Sequence, residues 1–150
     1  IGDKERNDAN VISDSVNTAS RLEGLTKIFE SNFIISQSTY KNISIDGNYN
    51  TRFLGRVKVK GKDDILPIYE VFDADLKKLK ESKLSIIQDY EKAFDAYLDK
   101  NFERAISLFS KVRKAIPDDY ATNLYLKRCI EYANEKLSSS WSGVEEMTEK

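Results

Sequence analysis

Histidine is absent from the 150 residues, and cysteine occurs once, at Cys129. These shortages exclude Ser-His-Asp and Cys-His nucleophilic centres, histidine-containing zinc sites and an internal disulfide. A lone thiol fits a reducing, cytoplasmic setting. No apolar run approaches the roughly 18 residues of a membrane-spanning helix, and Ile1-Gly2-Asp3-Lys4 has none of the pattern of a signal peptide. An excess of one charge is missing too: 24 basic against 25 acidic residues leave a net charge of −1 and a pI near 5.7. The chain therefore has no general attraction for nucleic acid or for an anionic membrane, and any phosphate site must be local.

What is present is enough for one ordinary domain or two small ones, with 40% apolar residues to build cores. From Thr51 to Lys62 five basic residues (Arg52, Arg56, Lys58, Lys60 and Lys62) occur without an acid, in a strand pattern. From about Ser13 to Glu30, Val16, Ala19, Leu22 and Ile28 or Phe29 recur at helical spacing, with Asn17 and Arg21 on another side. Asn32–Ser36 has strand length, and Ser36 suits the cap of a short helix through about Ile43. Arg52–Lys60 and Leu66–Phe72 read as an antiparallel hairpin turning at Gly61-Lys62-Asp63-Asp64. Alternation puts Val57 and Val59 inward and Arg56, Lys58 and Lys60 on the opposite face.

After Asp73 the texture becomes lysine-rich and strand-free, and the segment Lys77–Lys83 reads as a solvated linker face. Ile87, Tyr90, Phe94, Tyr97 and Leu98, then Phe102, Ala105, Ile106, Phe109 and Val112, follow at helical spacing, broken at Lys100-Asn101. Ala93, Phe102, Ala105, Phe109 and Pro117 fall at the spacing of one tetratricopeptide repeat. A third helix from about Asp119 carries Tyr120, Leu124, Tyr125, Cys129, Ile130 and Ala133 on its apolar side and serves as a cap. One such repeat cannot bury its core alone, so this module must pack on the rest of the chain or on another chain. Its aromatics read as core, Ser138-Ser139-Ser140 as a flexible link, and Trp141 as tethered.

The run Ser13-Asp14-Ser15-Val16-Asn17-Thr18-Ala19-Ser20-Arg21-Leu22-Glu23 resembles the signature of class III nucleotidyl cyclases, the adenylate and guanylate cyclase family. Arg56-Val57-Lys58-Val59-Lys60-Gly61-Lys62 with Ile68-Tyr69-Glu70-Val71 resembles that family's closing hairpin. The resemblance covers roughly residues 1–73 and begins in the middle of the cyclase fold. It implies an α+β chain: the C-terminal half of a ferredoxin-like cyclase domain over 1–74, a tetratricopeptide-like helical hairpin with a capping helix over 75–136, and a tail over 137–150. The tail resembles that of many bacterial members, with an end close to Lys150.

By resemblance, Asn17 orients the ribose, Arg21 stabilises the phosphoryl transition state and Lys60 contacts the triphosphate. Asn10, seven residues before Asn17, falls at the purine-selecting position; its amide suits either purine edge, with adenine favoured. Asp14 is read as a helix cap rather than a metal ligand. The family's two metal-holding aspartates have no counterpart here, so Mg or Mn is expected in the full-length enzyme and none on this piece. ATP or GTP is the expected substrate of a full-length, cytoplasmic homodimer, or of the cytoplasmic end of a membrane-anchored sensor. The piece alone is expected to be inactive, and its incomplete sheet to leave open edges that self-association or strand exchange would cover. A regulatory docking module and a degenerate cyclase scaffold are the alternatives.

Overall fold

A computed structural model describes residues 17–59 and 63–148. The first described element, α1, is helical over 17–29. Its buried stripe is Leu25, Ile28 and Phe29, with Leu22 partly covered. Ala19, expected in that stripe, is exposed, so the stripe begins a turn later than the spacing suggests. The helix ends without a glycine: Glu30 takes φ 54° and the Ser31 N–H donates to the Thr26 carbonyl at 3.0 Å.

Strand β1, Ile34–Ser36, leads directly into α2, Gln37–Ser44, and the Ser36 hydroxyl caps it by accepting from the Thr39 N–H. Strands β2, Thr51–Val59, and β3, Leu66–Val71, form the expected antiparallel hairpin, and β1 pairs antiparallel with the other side of β3. A bulge between Phe53 and Gly55 changes the inward parity of β2. Before the bulge Arg52 and Leu54 are buried; after it, Val57 and Val59 are. Gly55, at φ 114°, leaves room for the Tyr125 ring, whose hydroxyl donates to the Leu54 carbonyl at 2.8 Å.

The lysine-rich stretch is a helix, α3, Lys77–Ser85, and it is not uniformly solvated. Lys83 is 5% exposed, and its ammonium group contacts Glu70 and Asp75. Helices α4, Ile87–Leu98, and α5, Phe102–Ala115, form the helical hairpin. The break falls at Lys100 (φ 62°), where the Asn101 N–H donates to Ala96 O and the Asn101 side chain caps α5. Helix α6, Tyr120–Ala133, starts at Asp119, whose carboxylate accepts from the Thr122 N–H. Tyr125 and Cys129 are buried as expected, whereas Ile130 is half exposed and Ala133 is exposed.

Two apolar clusters result. One joins α4, α5 and α6 around Tyr90, Phe94, Tyr97, Phe109 and Tyr125. The other joins α1 to the sheet through Leu25, Ile28, Leu54, Val57 and Ile68, and includes Ala121 of α6. Helix α6 thus takes part in both. The tail, for which no strand was expected, forms β4, Val144–Met147, which pairs parallel with Arg56–Val59 and makes a sheet of order β1-β3-β2-β4. The edge of β2 is therefore covered from within the chain.

Candidate functional site

Position along α1 decides how its two polar candidates are held. Arg21 lies one turn before Leu25 and two before Ile28, at the margin of the buried stripe, so its side chain is covered for most of its surface. The side chain is 18% exposed. Asn17, one turn earlier, is exposed. The two share one side of the helix, as the four-residue spacing requires.

Leu22, Leu25, Ile28 and Phe29 seat α1 against Ile34, Leu54, Val57 and Ile68, and Phe29 meets Tyr120 edge to face at 5.4 Å. This seating carries Arg21 to the β2–β3 turn. There its Nη1 donates to Asp64 Oδ2 at 2.6 Å, a charge-assisted bond spanning 43 positions. The neighbouring acid, Asp63, turns back along its own hairpin, its Oδ1 lying 3.9 Å from Lys58 Nζ. The signature helix and the turn of the basic hairpin are thus adjacent in space.

The basic run divides into different environments. Arg52 is 3% exposed and belongs to the interior: its guanidinium reaches Glu70 Oε2 at 2.8 Å and Asp119 Oδ1 at 2.6 Å and lies 4.9 Å from the centre of the Tyr90 ring. Burial weakens its charged form, but Tyr90, Asp119 and Glu70 together outweigh this and hold it firmly protonated. Burial likewise opposes ionisation of Asp119, and the hydrogen bond and charge of Arg52 reverse that, leaving its carboxyl below the usual range. Arg52 is therefore a structural cation, set apart from its basic neighbours on the strand. Arg56 is exposed and donates to the Ser142 carbonyl at 2.9 Å.

Asn17 and Arg21 are thus placed on one helix, with the hairpin turn beside Arg21. Lys60 and Asn10 lie outside the described residues, as does Asp14. Asp64 was missed by sequence reasoning, because nothing in an acid at a turn announces a partner 43 positions away. Among the described residues no group of three or more His, Cys, Asp or Glu side chains could hold a metal ion.

Over 133 residues, 87% of this chain, the sequence is 35% identical to the terminal-differentiation-specific adenylate cyclase of Dictyostelium discoideum. This chain is similar to adenylate cyclases. A second relative, an adenylate cyclase of Anabaena cylindrica, is 46% identical over 72 residues, or 47% of the chain. The chain spans only 6% and 14% of the lengths of these two relatives. The Dictyostelium match is too long to end at the hairpin, so the similarity to this adenylate cyclase continues into the helices. No family model and no solved structure matches the chain.

Proposed function

We propose that this chain supplies the ribose- and phosphate-facing half of a class III nucleotidyl cyclase site, in a parent protein that converts a nucleoside triphosphate to a cyclic nucleotide and pyrophosphate. The observation that carries the reading is the meeting of Arg21 on the signature helix with the turn of the basic hairpin, in a chain similar to adenylate cyclases.

In such a reaction the ribose 3′-oxygen attacks the α-phosphorus while the bond to pyrophosphate breaks. The protein's work is positioning and charge stabilisation. Asn17 has both a donor and an acceptor with which to orient the ribose; Arg21 has a planar donor fork for the phosphoryl oxygens, where negative charge grows. Lys60 would add a point charge to the triphosphate, and Asn10 would read the purine, with adenine preferred. The metal-holding carboxylates must come from outside these residues, in a head-to-tail dimer where one chain brings the acids and the other the Asn/Arg pair. The 150-residue chain is then inactive by itself, and its helical part is a single tetratricopeptide-like unit packed on the sheet.

The test is a cyclase assay on the full-length parent, with ATP and GTP supplied separately in manganese. Cyclic product is expected mainly from ATP, and Arg21→Ala should lower kcat by about 100- to 1,000-fold, the scale on which a single donor to a developing oxyanion acts. Wild-type product formation that persists undiminished in the variant would refute the assignment of Arg21.

A further inference from the structure

We propose that Asp64 is a positioning residue that holds the Arg21 guanidinium in its working orientation, an inference that rests on the phosphoryl-stabilising role given to Arg21 above. A long arginine side chain on a helix loses rotamer entropy when held, and the freedom of its fork opposes any transition-state contact it must make. Asp64 removes part of this freedom before substrate arrives. Its carboxylate takes a single arm of the fork, Nη1, through Oδ2 at 2.6 Å. Nε and Nη2 of Arg21 have no hydrogen-bond partner among the described residues, which leaves donors for a phosphoryl group.

The placement suits this task better than a blocking role. A bidentate clasp would have to break for substrate to bind, whereas a one-armed contact can persist. The Asp64 side chain is 69% exposed, so water screens its charge and it repels an incoming polyphosphate only weakly. The Arg21 side chain as a whole, by contrast, is only 18% exposed. It is thus confined by its surroundings and by the bond to the turn. Asp63, next in the chain, is directed instead at Lys58, so the two acids of the turn serve different cations.

The experiment measures kcat and KM for nucleotide in the full-length parent, comparing wild type with Asp64→Ala, Asp64→Asn, Asp64→Glu and Arg21→Ala. Misorientation of a catalytic group costs up to about a hundredfold. Asp64→Ala should lower kcat at least tenfold with KM unchanged or lower, because substrate binding keeps Lys60 and loses a weak repulsion. Asp64→Asn should fall between the two, since its amide oxygen still accepts, and Asp64→Glu should restore kcat to within about threefold. In the Arg21→Ala background, Asp64→Ala should add nothing. A kcat within twofold of wild type in Asp64→Ala, a raised KM, or an equal additional loss in the Arg21→Ala background each overturns the assignment. Arg21→Ala with wild-type kcat would instead show that the functional reading itself fails. The thermal midpoint of Asp64→Ala should match wild type, since the residue is an exposed turn position.

Discussion

Gly55 shows how much can depend on one missing side chain. Its φ of 114° is strained for any L residue, and a Cβ built there would run into the Tyr125 hydroxyl. Gly55→Ala should therefore destabilise the chain by about 2–4 kcal/mol, through backbone strain and loss of the Tyr125 to Leu54 bond together. Urea unfolding would measure it, and a midpoint within error of wild type would contradict the account. Asp119 gives the acid limb of stability a sign. Its carboxyl ionises more readily in the fold than in the unfolded chain, so the unfolded state binds the extra proton. Its contribution is present above the ordinary aspartate range near about 4 and is lost as pH falls through the lower folded value. Asp119→Asn should flatten stability against pH over that acid window. A slope identical to that of wild type would rule Asp119 out as its source.

At the level of elements, alternation and helical spacing carried the reading a long way. The Ser36 cap, the hairpin from Thr51 to Val71 and the break at Lys100 all express local rules of dihedral preference and hydrogen bonding, and such rules are visible in a single chain. What escaped depended on distant partners. Lys83 belongs to a run that looks solvated, and only Glu70 and Asp75, brought in by β3 and the loop after it, explain its burial. Arg52 resembles its basic neighbours until the bulge at Gly55 shifts the parity and turns it inward. For the candidate site the motif located Asn17 and Arg21, but not Asp64, whose pairing is a product of how α1 is seated.

The tail was the largest omission, since four residues with two adjacent acids have little strand propensity. Side chains hold it instead. Glu145 is 2% exposed and accepts from Tyr97 at 2.7 Å and Tyr132 at 2.9 Å, while Arg128 Nε lies 2.8 Å away without aiming its hydrogen at the carboxylate. Trp141 packs on Tyr97, Phe102 and Tyr132. Glu145→Ala would leave the Tyr132 hydroxyl without its acceptor, Tyr97 with the Gly143 carbonyl alone and Arg128 without this ion-pair partner, at a cost of about 2–4 kcal/mol. Hydrogen exchange at Val57 and Val59 should accelerate with it. Unchanged protection there would mean that β4 stays paired by its backbone alone.

Across the whole molecule, the helices and the sheet are joined by charge as well as by apolar contact. Arg52 from β2, Glu70 from β3, Asp75, Lys83 from α3 and Asp119 at the head of α6 form one buried chain of ion pairs. A buried network of this kind contributes little net stability while every member is present, yet breaks sharply when one is removed. It ties α3 and the start of α6 to the strand that ends in the basic run. No described helix is long and apolar enough to cross a membrane.

The parallel pairing of β4 with β2 also sets a timetable for synthesis. Arg56 and Ser142, which bond to each other beside that pairing, are 86 positions apart. At the usual pace of translation, about 5–20 residues per second, the edge of β2 is made roughly 4 to 17 seconds before the residues that will cover it. During that interval a nascent chain carries a basic, unpaired strand edge, and the four residues that close it are among the last of this stretch to leave the ribosome.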